Sequence, residues 1–366
     1  MSEWKEYKLK DLGILQRGRS RHRPRYAFHL YGGKYPFIQT GEIREATKFI
    51  KKFKQTYSEA GLEQSKLWPK GTLCITIAAN IAELAILNFD ACFPDSVLGF
   101  IPNKELADLD FIYYTLTHFQ RELKHIGEGS VQDNINLGTF EDIVFPIPSL
   151  PEQKSIASIL SSLDDKIDLL HRQNANLEKM AETLFRQWFV EEAKEDWEVF
   201  KMEKLISIVS GKGLKKESFI ENGLYPILGA NGEIGRTNEF LYNEKLIFTG
   251  RVGTLGNIFR IENEKVWLSD NTLIIRPLEY FNFIYFLLNN SRLEDYNVGS
   301  TQPLIRQSDI KKIEVLLPTK EILKEFESFA DEIFRKIKSN QTQIRTLTAL
   351  RDTLLPKLMN GEVRVL

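Results

Sequence analysis

Cysteine is nearly absent from this chain of 366 residues, which has only Cys74 and Cys92. Two thiols cannot build a disulfide framework, so they are expected as small buried residues in a reducing cytoplasm. Long apolar runs are lacking too. The longest, near Phe281 to Leu288, is far too short for a bilayer, and no membrane partner is expected. The opening Trp4-Lys5-Glu6-Tyr7 has neither the apolar centre nor the cleavage site of a signal peptide. No Gly-x-x-x-x-Gly-Lys-Ser/Thr loop occurs, which excludes a nucleotide site of that kind. Gly211-Lys212-Gly213 lacks the third glycine and the βαβ frame of a dinucleotide loop. No Asn/Asp-Pro-Pro-Tyr/Phe segment is present of the sort that holds a flipped base. The five histidines (His22, His29, His118, His125, His171) have no cysteine at zinc-ligand spacing. No metal and no catalytic residue is expected.

A net charge of -1 argues at first against a phosphate-binding protein. The total hides a strong asymmetry. Residues 1–70 carry 16 Lys/Arg against 7 Asp/Glu, whereas residues 71–148 carry 3 against 11. One face can therefore be basic in a nearly neutral molecule.

What is present is a unit written twice. Trp4, Tyr7, Leu12 and Gly18 fall on Trp197, Phe200, Leu205 and Gly211 at constant offset. Tyr35-Pro36 with Gly41-Glu42-Ile43 returns as Tyr225-Pro226 with Gly232-Glu233-Ile234. Pro94-Asp95 matches Ser269-Asp270, and Phe111-Ile112-Tyr113-Tyr114 matches Phe283-Ile284-Tyr285-Phe286. From Gly129/Gly299 onward the offset stays at 170 for about sixty residues. A repeat this long is a duplicated domain, not an array unit. Each copy opens with short β-type runs among Gly, Pro and Asn turns, such as Gly71 to Ile77 and Lys245 to Thr249. A helical stretch interrupts them near Asp110 to Leu123 and again near Phe283 to Asp295. The expectation is α+β with mixed or antiparallel sheets.

Each copy then closes on a long helix with a 3.5-residue apolar period, the seam of a coiled coil. In the first the seam runs through Ile156, Leu160, Leu163, Ile167, Leu170, Asn174 and Leu177. In the second it runs through Phe326, Ile333, Ile337, Asn340, Ile344 and Leu347, and is broken at Arg351. Two equivalent seams predict that the helices pack on each other. A pseudo-two-fold relation would make them antiparallel spacers between the domains. About 34 helical residues span roughly 50 Å, about one to one and a half turns of DNA. The expected divisions are a first domain over 1–148, its helix over 149–193, a second domain over 194–318, and a second helix with tail over 319–366.

A carboxylate-carboxylate-lysine set, Asp95 with Glu122 and Lys124, imitates a nuclease Mg²⁺ site. Its repeat counterpart, Glu294-Asp295-Tyr296, lacks the lysine, so a turn role for Asp95 and Asp270 is preferred. Binding chemistry remains. Arg17, Arg19, Arg21, Arg23 and Arg25 alternate, and in an extended segment all five would point one way. Guanidinium groups suit phosphates and guanine edges. Lys212, Lys215 and Lys216 hold the corresponding place in the second copy. Amide, hydroxyl and guanidinium groups at loop tips are candidate readers of base edges: Gln39, Thr40, Gln132 and Asn134 in the first copy; Asn231, Arg251, Thr254, Gln302 and Arg306 in the second.

The helix opening Leu150-Pro151-Glu152-Gln153-Lys154-Ser155-Ile156-Ala157 and the tail Leu355-Pro356-Lys357-Leu358-Met359-Asn360-Gly361-Glu362-Val363 resemble those of specificity subunits of Type I restriction-modification enzymes. The second helix departs at its opening, Pro318-Thr319-Lys320-Glu321. The resemblance implies a non-catalytic subunit of a restriction endonuclease and adenine DNA methyltransferase. Each domain would read one half of a split, asymmetric site in double-stranded DNA. The paired helices would set the gap and dock two methyltransferase subunits, and two motor-nuclease subunits would complete the complex. S-adenosylmethionine, ATP and Mg²⁺ would then sit on partners. The readings left open are a silent recombination cassette, a stand-alone coiled-coil DNA-binding protein, a coiled-coil scaffold that binds no DNA, and a nuclease or methyltransferase fragment.

Overall fold

The computed structural model describes residues 4–22, 24, 27–78, 81–128, 137–299 and 301–365. The chain divides into two compact units, one of residues up to Leu169 with those from Gln343 onward, the other of Leu170–Thr342. Both units mix helices with mixed sheets, and their topologies repeat.

In the first unit one sheet orders strands Gly13–Arg17, Val97–Pro102, Leu73–Thr76, Leu84–Leu87 and Phe49–Ile50, antiparallel except at the last pair. A second sheet orders Gln55–Tyr57, Tyr31–Phe37, Ala91–Cys92 and Leu67–Trp68. Strand Lys5–Lys8 pairs antiparallel with Val144–Ile147. The second unit restates this with Ile206–Ser210, Thr272–Pro277, Leu246–Gly250 and Ile258–Ile261 in one sheet. Gly232–Thr237, Tyr225–Gly229 and Trp267–Leu268 form another, and Glu198–Lys201 pairs with Glu314–Leu317.

The inner strands are apolar on both faces because both faces are covered. Side chains alternate across a strand. Leu73 and Ile75 enter a core with Phe111, Ile112 and the long-helix residues Ile156 and Leu160. Cys74 faces a separate core with Trp68, Phe93 and Val97. Cys92 is buried with Phe37 and Tyr57, so both thiols are buried and unbridged. Burial pushes the Cys92 thiol up to about 11. In the second unit Ile247 and Ile275 face Phe283 and Phe326, while Leu246, Phe248 and Ile274 face away. Each such fully buried Leu, Ile or Phe contributes roughly 1.5–3 kcal/mol.

The interrupting helices are Leu109–His118, with Gln120–Glu128 following, and Phe281–Asn290. Asp108 caps the first, its Oδ1 accepting from the Phe111 N–H at 3.0 Å. In the second copy the Phe283 N–H is satisfied from the long helix by Glu327 Oε1 at 2.7 Å.

The long helices are Leu150–Arg186 and Lys320–Met359. Gly361, at φ +70, terminates the second, its N–H donating to Leu358 O. Every seam residue named above is buried or half-buried. Within the first unit Ile156, Ala157 and Leu160 share a core with Leu358 and Met359, and Asp164 meets Arg351 at 2.9 Å. Within the second, Asn174 meets Asn340, whereas Phe185 packs edge-on and Trp188 tilted against Phe326. The helix segments of that unit are therefore antiparallel.

The buried Gln153 of the helix opening fixes the first domain to its helix. Its Oε1 accepts from Asp108 N–H at 2.9 Å, and its Nε2 donates to the Leu106 and Pro148 carbonyls at 3.0 Å. No helix among the described residues is long and apolar enough to cross a membrane.

Candidate nucleic-acid interface

In the first unit the basic segment leaves the end of strand Gly13–Arg17. Gly18 makes the turn possible: a Cβ there would lie 2.2 Å from the Pro94 carbonyl oxygen. The Gly18 N–H bonds Val97 O at 2.8 Å and the Arg19 N–H bonds Phe93 O at 3.2 Å. The exposed Arg17 donates through Nε to Asp95 O at 2.6 Å. Arg19 is half-buried, with Nη2 3.5 Å from Glu63 O, and Arg21 is exposed. The strand ends at Arg17, so strand alternation does not govern the arginines beyond it. Among the described arginines Arg17 and Arg21 are exposed and Arg19 is half-buried. Arg23 and Arg25 lie outside the described residues, as do Gln132 and Asn134.

Gln64 pins this segment, its Oε1 accepting from Arg21 N–H at 2.7 Å and His22 N–H at 3.0 Å. Ser65 Oγ donates to Arg19 O at 2.7 Å. Lys66 lies 3.7 Å from the Trp68 ring centroid. Burial first, then the charge of Arg19, pushes its pKa down. Positive charge is thus concentrated here. Gln39 and Thr40 open the short helix Thr40–Glu45, with Gln39 Nε2 donating to Gln55 Oε1 at 2.8 Å. A cavity of about 80 Å³ brings Ser20 together with Gln39, Thr40, Tyr57 and Ser96.

The second unit repeats the frame with other residues. A Cβ at Gly211 would lie 2.1 Å from Ser269 O, as Gly18 meets Pro94. Lys212 is exposed and its carbonyl accepts from Trp267 Nε1 at 2.7 Å. Lys215 and Lys216 are exposed at the start of the single turn Lys216–Ser218. Asn231 sits at a hairpin tip, where Gly232 takes φ +108. Its Nδ2 donates to Thr254 Oγ1 at 2.9 Å and its Oδ1 accepts from Asn257 Nδ2 at 3.0 Å. Arg251 N–H donates to Asn271 O, and its carbonyl accepts from Ile305 N–H. Gly253 N–H donates to Pro303 O, which brings Gln302 to the same place. Arg306 follows Ile305, exposed at the start of helix Gln307–Lys311. Sequence reasoning does not single out Asn257. Its one signal is the preceding Gly256, which takes φ +89.

The nuclease-like set does not assemble around Lys124, which pairs with Glu83 at 2.9 Å. Among the described residues no three His, Cys, Asp or Glu side chains could hold a metal ion.

A family model, the Type I restriction modification DNA specificity domain, matches residues 1–179 and again 194–349. The chain belongs to this family. The double match follows the duplication. Relatives include the Type I restriction enzyme MjaIX specificity subunit of Methanocaldococcus jannaschii, 29% identical over 99% of this chain and 94% of that one. The HindI specificity subunit of Haemophilus influenzae is 24% identical over 99% of this chain and 100% of its own length. The crystal structure of an S subunit from M. genitalium shares the fold, with a TM-score of 0.64 at 20% identity, over 98% of this chain and 96% of that one.

Proposed function

We propose that the chain is the DNA-reading subunit of a Type I restriction-modification complex. The domain of residues 1–148 reads one half of a split site, and the domain of residues 194–318 reads the other. The observation that carries this reading is one frame bearing two chemistries. The equivalent junctions at Gly18 and Gly211 are followed by Arg19 and Arg21 in one copy and by Lys212 in the other, and the first unit offers Gln39 and Thr40 where the second offers Asn231 bonded to Thr254 and Asn257. Unlike side chains on equivalent loops read unlike bases, so the site is asymmetric.

The long helices act as antiparallel coiled-coil spacers that set the gap and dock two methyltransferase subunits. Two motor-nuclease subunits complete the cytoplasmic complex. This chain performs no chemistry itself; S-adenosylmethionine, ATP and Mg²⁺ are held by the partners. Most contacts from Arg17, Arg19, Arg21, Lys212, Lys215 and Lys216 go to phosphates.

The test is duplex-DNA affinity of the chain assembled with its methyltransferase subunit, measured across a salt series. Several phosphate contacts make log K fall linearly with log salt, by about 0.9 per phosphate. A flat salt response would leave a protein scaffold in place of a DNA reader.

A further inference from the structure

The charged side chain of Lys48 is buried at the junction between the first domain and its helices. Its side chain is only 8% exposed. The ammonium group donates to Asp110 Oδ1 at 3.0 Å, Ser161 Oγ at 2.9 Å and Tyr114 OH at 3.3 Å. All three of its donors are thereby used. Tyr114 passes the chain on, donating to Asp164 Oδ2 at 2.6 Å, and Asp164 Oδ1 accepts from Arg351 at 2.9 Å. Tyr113 OH donates to the carbonyl of Thr47, the neighbour of Lys48, at 3.0 Å. Four elements meet in this network: the loop before strand Phe49–Ile50, helix Leu109–His118 and both long helices.

Burying an ammonium group is costly, and an apolar contact of the same size would hold the domain at least as tightly. What the network adds is direction. Apolar faces can slide and rock, whereas three donors on three fixed acceptors have one arrangement. The second unit has a network at the matching positions. Asn282, the counterpart of Asp110, accepts from the half-buried Arg260 at 3.1 Å and donates to Glu327 and Asp331. Asp331, the counterpart of Ser161, pairs with Lys245 at 3.2 Å. The cations come from different places in the two copies, yet they serve the same two positions.

We infer that Lys48 is a positioning residue: it locks the angle of the first domain on the helices, and so the permitted gap between half-sites. The inference rests on the split-site reading proposed above. Lys48 itself contacts no DNA.

The experiment is base-resolution methylation mapping in cells expressing the full chain with its methyltransferase subunit, comparing wild type, Lys48→Met, Lys48→Arg and Tyr114→Phe. For Lys48→Met the expected result is unchanged bases in both half-sites, with at least tenfold more methylation at sites whose gap is one base longer or shorter. Lys48→Arg should keep most of the strict gap. A folded Lys48→Met chain that keeps the wild-type gap overturns the inference, as does one that relaxes bases in a half-site instead of the gap. Should Lys48→Met fail to fold, Tyr114→Phe decides by the same readout, since it cuts the link to Asp164 and leaves the ammonium in place. A wild-type chain without a split motif would defeat the split-site reading itself, a distinct outcome seen before any variant is compared.

Discussion

Asn340 Nδ2 donates to Asn174 Oδ1 at 2.8 Å, and both side chains are buried where the second unit's helix segments face each other. Each occupies a seam position that is otherwise apolar. A polar pair there costs stability while fixing register. Asn340→Leu alone leaves the Asn174 amide without its partner and should destabilise the full chain by about 1–3 kcal/mol. The double change Asn174→Leu/Asn340→Leu should recover that loss or exceed the wild type. Urea melts of the three chains check this. A double variant weaker than the single would show that the pair is not a simple polar exception in the seam.

Gln153→Leu tests the anchor beneath the first domain. It leaves the Asp108 N–H and the Leu106 and Pro148 carbonyls without their partner. The expected loss is on the order of 3 kcal/mol, from unsatisfied groups at about 1–3 kcal/mol each with some recovered by water. The counterpart position already holds the buried Leu323. Hydrogen exchange should therefore speed up in the first unit only; equal acceleration in both would contradict the local role.

The duplication and the places of the two long helices are legible because they live in sequence spacing. Strand order is not, since pairing of Phe49–Ile50 with Leu84–Leu87 is non-local. The break at Arg351 reads as a fault in the seam; it is the partner of Asp164. The repeated Gly-Glu-Ile segment misleads most. Gly41-Glu42-Ile43 lies in a helix whose opening N–H, at Gln39, is accepted by Glu42. Gly232-Glu233-Ile234 starts a strand, and Gly232 itself takes φ +108. Identical residues take different structures because Gly232 supplies the positive φ of a hairpin turn, whereas Gly41 lies inside a helix. The loop tips proposed to meet DNA are the part that alignment of the two copies describes worst.

Replacing Arg19 and Arg21 with alanine should weaken binding at the half-site read by the first domain and leave the other half protected. For every phosphate that no longer meets a cation, the slope of log K against log salt should become shallower by about 1. Footprints covering both halves check this, and unchanged protection would move the segment away from DNA.

Alkaline stability should depend on Tyr113. Burial first, then the charge of Asp164, raises its phenol to about 12. A folded pKa above the unfolded value of about 10 stabilises the fold below pH 10, and that contribution is lost as pH rises through 12. Wild type should lose about 2–3 kcal/mol more than Tyr113→Phe across that window, at roughly 1.4 kcal/mol per unit. Parallel stability curves for the two chains from pH 9 to 12 would contradict the assignment.

Whether this chain chooses the DNA site is decided most directly by methylation mapping at base resolution in cells that carry the methyltransferase subunit with and without this chain. A site-choosing subunit gives a split motif of two unlike halves with a fixed gap, methylated only when the chain is present. An assembled complex that methylates no chain-dependent motif would rule that role out.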